Sequence, residues 1–153
     1  MLVYHGGGTI IKEPEIIKRK YATDFGTGFY CTLLKDQAYR WAMNNRRNNE
    51  SGYISIYEIG DVSGLKVKVF DEVSDEWLDF IAFCRTGKEH EYDIVEGPMA
   101  DDQIWLDVAR YMSGEMPKEA FMALAKFKHP THQISFHTKA ALAKVDFKGS
   151  EKA

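Results

Sequence analysis

The sequence predicts a single α+β domain, on three observations: strand-like segments stand at both ends of the chain, helix-like segments are scattered between them, and most connections are short. At 153 residues the chain can bury roughly two-thirds of its unfolded surface, so one core suffices without disulfides or metal to hold it. The domain is expected over residues 1–148, with Gly149 to Ala153 as a flexible tail.

Taken in order, Leu2-Val3-Tyr4 reads as a strand that ends at Gly6-Gly7-Gly8, where three glycines disfavour either regular structure. A loop through Pro14 leads to Asp24-Phe25-Gly26-Thr27-Gly28-Phe29-Tyr30. Asp36 to Asn45 then places Ala38, Trp41 and Ala42 at helical spacing, ended by a polar run of Asn and Arg. Tyr53 to Ile59 and Lys66 to Phe70 alternate with the period of half-buried strands. Ser74 precedes Asp75-Glu76 as a cap does acidic first-turn residues, and Trp77, Leu78, Ile81, Phe83 and Cys84 supply the apolar side of the helix that follows. Tyr92 to Glu96 is a strand closed by Gly97-Pro98. Asp101-Asp102 heads a helix bearing Ile104, Trp105, Val108, Tyr111 and Met112. Pro117 opens another, running to about Phe127 with Phe121, Leu124 and Ala125 inward. A strand over Gln133 to His137, a short helix over Lys139 to Ala143 and a last strand at Val145-Asp146-Phe147 complete the chain.

Composition narrows the functional classes. A net charge of −3 argues against a dedicated nucleic-acid coat, and Lys12, Lys18, Arg19, Lys20 and Arg46-Arg47 read first as solvated surface. Cys31 and Cys84 are too few and too distant for a disulfide framework or a zinc site, which fits a reducing compartment. The start of the chain lacks the basic region and apolar core of a signal peptide, and no apolar run approaches the roughly 20 residues of a membrane span. A cytoplasmic protein without membrane attachment is expected.

Three segments carry the chemistry. In the first, Tyr4-His5-Gly6-Gly7-Gly8, a histidine at a strand end adjoins backbone bared by glycine. The second, Phe25-Gly26-Thr27-Gly28-Phe29-Tyr30, is either a tight turn feeding a strand or a surface that lets a flat ligand meet backbone and the Tyr30 ring. In the third, Gln133 opens a late strand with a side chain that both donates and accepts. Breaking the bond between nicotinamide and ribose in NAD needs this set: a group to hold ribose hydroxyls, backbone amides for the carboxamide, aromatic walls, and a polar group near the anomeric carbon. His5 suits the ribose, Gly6 the carboxamide, Tyr30 and Trp41 the aromatic walls, and Gln133 a ribose hydroxyl.

These three motifs resemble those of the diphtheria-toxin and poly(ADP-ribose)-polymerase class of ADP-ribosyltransferases, whose residues run His, Tyr, then Glu or a substitute. Nearly the whole chain is similar to a poorly characterised bacterial and phage-associated domain family of that superfamily. The resemblance implies a split β-sheet core with flanking helices and NAD as co-substrate without metal. It further implies that His5, Tyr30 and Gln133 are the catalytic positions, and that His5, Gly6, Gly28, Tyr30 and Trp41 are the NAD-binding ones. Glutamine has no ionisable carboxylate, so mono-ADP-ribosyl transfer or slow NAD cleavage is expected rather than polymer formation. The partners so implied are a macromolecular target, protein or nucleic acid, and an antitoxin or inhibitory protein if the chain is a toxin.

Asp101 and Asp102 are read first as helix N-terminal residues and second as bases that reach the cleft. His129, His132 and His137 have no metal-ligand spacing and read as polar packing, with His132 the exception to watch beside Gln133. Trp77, Trp105, Phe80 and Phe83 are expected in the core, and His90 in a loop. The competing functions are a non-catalytic NAD or ADP-ribose binding module, an RNA 2′-phosphotransferase on a related fold, and a structural protein without a pocket.

Overall fold

The computed structural model describes residues 1–18, 23–46, 50–100, 102–125 and 131–153. The expected roles of Arg19, Lys20, Arg47, Asp101 and His129, and the helix end near Phe127, lie outside these residues. Along the chain run β1 (Leu2–Gly7), β2 (Phe29–Cys31), α1 (Lys35–Asn44), β3 (Tyr53–Ile59), β4 (Val67–Val69), α2 (Asp75–Arg85), β5 (Ile94–Gly97), α3 (Asp102–Met112), α4 (Lys118–Ala125), β6 (Gln133–Phe136), α5 (Lys139–Leu142) and β7 (Val145–Lys152). The α+β class expected from the sequence is the class observed.

The strands form two sheets, one ordered β1-β3-β7 and the other β2-β6-β5-β4. Only the β4–β5 pair is parallel among the described strand pairs. Among the described residues one backbone bridge joins the sheets, where Tyr4 and Thr32 exchange both backbone hydrogen bonds at 2.8 and 2.9 Å. Backbone groups alternate in direction along a strand, and Tyr4 turns its own away from β3 toward β2. Gly6, two residues on, turns its N–H and C=O to that same edge, where the sheets have begun to part. The split therefore follows from one bridge being made and the next being left open.

Three clusters make the core among the described residues, the smallest of them Ala38, Ala42 and Ile54 between α1 and β3. Val3, Phe29, Tyr57, Ile94, Ile134 and Phe136 pack where the sheets meet. Phe25, Trp77, Leu78, Ile81, Val108 and Phe121 pack beneath α2, α3 and α4. Ser74 caps α2 as its sequence predicts, its Oγ accepting from Trp77 N at 3.1 Å. Residues 77, 78, 81 and 84 form the buried stripe of α2, and Phe83, off that spacing, is turned outward instead of into the core. Leu124 likewise faces out, because α4 buries Phe121 and Ala125 four residues apart.

Two strands are longer than expected. β1 runs through Gly6 and Gly7, which pair with Ile54 and Tyr53. A methyl on Gly6 would stand 1.8 Å from the Ala38 carbonyl oxygen, so glycine at this place lets α1 lie directly on the strand rather than ending it. β7 continues to Lys152, pairing with β3 as far as Tyr53, so residues 149–152 complete a sheet rather than trail as a tail. Ala153 adds a hydrogen bond to the Gly52 carbonyl at 2.8 Å. The physical reason is the β3 edge, whose backbone groups those residues satisfy.

Candidate functional site

Where the sheets part, an open cleft of about 670 Å³ is lined by residues of β1 and the loop after it, Thr23-Asp24, Tyr30, Trp41 of α1 and Asn45 at its C-terminal cap, Met99-Ala100, Trp105 of α3 and Gln133. That volume lies within the range of roughly 300–1,000 Å³ usual for pockets that take small organic ligands. His5, Gly6, Tyr30, Trp41 and Gln133, drawn from distant segments, all reach it. Gly28 does not.

The ring of His5 is 9% exposed and stacks on Phe29 with centroids 4.7 Å apart. Its Nδ1 lies 2.7 Å from the Tyr30 carbonyl oxygen. A carbonyl only accepts, so Nδ1 carries the proton of this bond. This bond occupies the gap between β1 and β2 where a further ladder pair would otherwise form, tying the two candidate residues together.

Tyr30 presents its ring and not its hydroxyl. The phenol donates to the Gly26 carbonyl at 2.6 Å and accepts from Phe25 N at 3.0 Å, closing the turn that precedes it. Burial holds its pKa well above the ordinary tyrosine value, so it is neutral throughout the physiological range. The two glycines of that turn serve different ends. Gly26 has φ of 86°, a left-handed conformation that other residues adopt at a cost. A Cβ on Gly28 would meet His137 Nδ1 at 2.7 Å and Phe136 O at 2.8 Å, so its place is dictated by close packing on β6. Gly28 lines a second depression with His90 and His137, which adjoins the cleft at Thr23.

Gln133 is 4% exposed and fully determined in orientation. Its Nε2 donates to Asp24 Oδ2 at 2.9 Å and to the Pro98 carbonyl at 3.2 Å. Gln37 pins the residue before it, donating to the His132 carbonyl at 2.6 Å and accepting from His132 N at 3.2 Å. Trp77 Nε1 donates to the Pro98 carbonyl at 2.9 Å, and Thr131 Oγ1 bonds Met99 N and O at 2.8 and 3.0 Å. The floor of the cleft is thus fixed from three sides.

Sequence context gives Asp24 no role, yet it is the centre of this network. Oδ1 accepts from Arg85 Nη2 at 2.7 Å, and Oδ2 accepts from Ala100 N at 2.8 Å as well as from Gln133. The ion pair is buried, with side chains 4% and 9% exposed for Arg85 and Asp24. Burial pushes the Asp24 carboxyl up and the Arg85 guanidinium down to about 10, each against the attraction of the other. Three donors converge on Asp24, which is the environment of a carboxylate and not of a carboxylic acid. The Arg85 guanidinium lies over the Trp105 ring. Trp105 is therefore a half-open wall of the cleft and not the core residue expected, with Ile104 and Val108 taking the inward face of α3. The one sequence signal for Asp24 was an acid immediately before an apolar turn.

His132 and His137 serve the packing around the cleft. His132 Nδ1 accepts from Leu33 N at 3.0 Å and Nε2 donates to Glu96 Oε1 at 2.8 Å, so its ring fastens the approach to α1 and does not join Gln133 in the cleft. His137 Nδ1 bonds the Thr27 carbonyl at 2.8 Å and Nε2 lies 2.7 Å from the Ser135 hydroxyl. Burial, with His90 beside it, pushes His137 down to about 4. An unfolded histidine titrates near about 6.5, so the unfolded chain binds a proton the native ring refuses. The stability this neutral ring contributes is present above about pH 6.5 and lost as pH falls toward 4. Denaturant unfolding of wild type between pH 7 and 4.5 should show that loss, and His137→Gln should flatten it; an unchanged slope would remove His137 as its source.

These features define an α+β domain with a polar and aromatic cleft at the parting of its two sheets. The chain belongs to the family described as Protein of unknown function (DUF3990), whose model matches residues 1–147. No curated protein and no solved structure matches it. Among the described residues no helix is long and apolar enough to cross a membrane, and no cluster of His, Cys, Asp and Glu has a metal-binding arrangement.

Proposed function

We propose that the protein is a mono-ADP-ribosyltransferase that takes NAD as co-substrate and modifies a macromolecule, protein or nucleic acid, with release of nicotinamide. The observation that carries this reading is the convergence of His5, Tyr30, Trp41 and Gln133 on one cleft at the parting of the sheets. Their chemistry matches the demands of the reaction. His5 brings a polar ring to the ribose, the β1 edge at Gly6 offers a carboxamide its donor and acceptor, and Tyr30 and Trp41 offer a flat cation aromatic faces.

In the reaction the bond between the anomeric carbon and the nicotinamide nitrogen breaks, and its electron pair leaves with the now neutral pyridine. The ribosyl centre, left electron-poor, is attacked by a lone pair of the acceptor, which gives up its proton to solvent. Gln133 has no proton to exchange, so it stabilises charge and does not act as a base. That favours single transfer over polymer growth. Because His5, Tyr30 and Gln133 are already held by the hydrogen bonds around them, little reordering of these three is needed on binding. The setting proposed is the bacterial cytoplasm, with a toxin restrained by an antitoxin or inhibitory protein as its context.

Labelled NAD incubated with protein and lysate should yield labelled macromolecule, and His5→Ala, Tyr30→Ala and Gln133→Ala should each lower labelling by about 10²-fold or more. Wild-type labelling in all three variants would refute the site. One observation favours a second reading, a non-catalytic NAD or ADP-ribose binding module: position 133 carries an amide where an ionisable group would aid transfer. Calorimetric binding of NAD with no nicotinamide released over long incubation would decide for that module.

A further inference from the structure

We propose that Asp24 is a positioning residue for catalysis, its carboxylate fixing and polarising the Gln133 amide so that Oε1 becomes the acceptor presented to a ribose hydroxyl. The inference rests on the reading of the cleft as an NAD site.

The amide orientation needs no assumption about which atom is nitrogen. Both neighbours of the Gln133 head group, the Asp24 carboxylate and the Pro98 carbonyl, can only accept. The NH₂ must face both, and its two protons are thereby committed. Oε1 is the remaining functional atom of a side chain that lines the cleft. Gln133 is in this setting an acceptor, although glutamine in general is equally a donor. A ribose hydroxyl is the complementary donor, and a carbonyl oxygen drawing on a nearby negative charge suits an electron-poor ribosyl carbon.

The charge reaches that oxygen through a charge-assisted hydrogen bond. Asp24 Oδ2 is 2.9 Å from Nε2, and a carboxylate bonded to an amide N–H strengthens the acceptor at the other end of the same group. Arg85, on the far oxygen at 2.7 Å, keeps Asp24 ionised without touching Gln133. The arrangement divides between two residues, 109 apart in sequence, a task that one ionised side chain could perform alone. During transfer Asp24 neither gains nor loses a proton, and the proton released by the acceptor passes to solvent.

The test compares wild type, Asp24→Asn, Gln133→Ala and the swap Asp24→Asn with Gln133→Glu, each by NAD calorimetry, initial rate of nicotinamide release and thermal melt. Asp24→Asn should bind NAD within a few-fold of wild type while kcat falls by about 10- to 100-fold, the size of effect seen when a partner that orients a functional group is lost. The swap returns a carboxylate to the cleft with an amide at 24 turned toward it, at the expense of the bond from Ala100 N, and kcat should recover part of that loss. A folded Asp24→Asn with wild-type kcat, or a folded swap no faster than Gln133→Ala, would overturn the proposal. If Asp24→Asn gives no cooperative melt, the swap decides alone by the same comparison with Gln133→Ala. Absence of NAD binding in wild type would overturn the NAD reading itself, an outcome distinct from wild-type turnover that Asp24 does not influence.

Discussion

Arg85→Ala is expected to cost about 3–5 kcal/mol of unfolding free energy, measured by denaturant titration at neutral pH. The substitution leaves the Asp24 carboxylate buried with only the Gln133 and Ala100 N–H groups to solvate it, and removes the guanidinium lying over Trp105. The large value follows from burial, since the two side chains are 4% and 9% exposed. Lys66 and Glu91, by contrast, pair at 3.9 Å with side chains 67% and 91% exposed, and removing either should change stability by under about 1 kcal/mol. Replacing both buried partners together, as Asp24→Asn with Arg85→Met, should cost less than Arg85→Ala alone, because no unpaired charge is then left inside. Arg85 also keeps one buried nitrogen, Nε, without a hydrogen-bond partner among the described residues. That orphaned donor lowers the net worth of the intact pair but not the cost of breaking it. A loss below about 1 kcal/mol for Arg85→Ala would show that the pair behaves as a surface contact and that Asp24 is not dependent on it.

The same pair shows where sequence reading stops. Ser74 with two acids behind it, or the alternation from Tyr53 to Ile59, announces local structure because the cause is local: a cap bonds within its own turn, and a strand shows its period residue by residue. His5, Tyr30, Trp41 and Gln133 were legible as a group because each stands in a short pattern whose backbone geometry is largely self-determined. Asp24 has no such pattern. Its meaning comes from Arg85 and Gln133, 61 and 109 residues away, which only the folded chain brings to it. Gly28 failed in the opposite sense: its pattern suited a ligand, but the space beside it is taken by His137. The end of β7 was hidden for a third reason. Lys148-Gly149-Ser150-Glu151-Lys152 carries no apolar alternation, because its strand is held by backbone pairing with β3 rather than by a buried face. Residue type alone places Trp105 and Phe83 in the core, whereas the helix face each occupies is set by neighbours that fill the inward stripe first.

Gln133→Glu separates a carboxylate in the right place from a carboxylate in the right company. The substitution puts an ionisable group at the position, and by residue type alone it should favour chemistry in the cleft. In this protein it should instead destabilise the fold at neutral pH. The new carboxylate would take the place of a donor lying 2.9 Å from Asp24 Oδ2 and 3.2 Å from the Pro98 carbonyl, so three acceptors would face one another with no proton between them. Two carboxyl groups so close cannot both ionise cheaply, and one must hold its proton to well above the ordinary glutamate pKa of about 4.3. A carboxyl whose folded pKa is raised contributes stability below its unfolded pKa and loses it as pH rises through the folded one. The variant should therefore come nearest to wild type near pH 4 to 5 and fall away by about 4 kcal/mol toward pH 8, the equivalent of roughly three pKa units. Paired unfolding titrations at pH 5, 7 and 8 read this directly. A difference from wild type that does not change with pH would mean that the introduced carboxylate does not meet Asp24, and that the acceptor-only surroundings of Gln133 are not what holds the glutamine there. With Asp24→Asn in the same chain the repulsion between two carboxylates disappears, while an amide turned to donate to the introduced carboxylate leaves the Ala100 N–H without its acceptor. The single and the double variant should then diverge most at alkaline pH, where the unrelieved pair carries two charges.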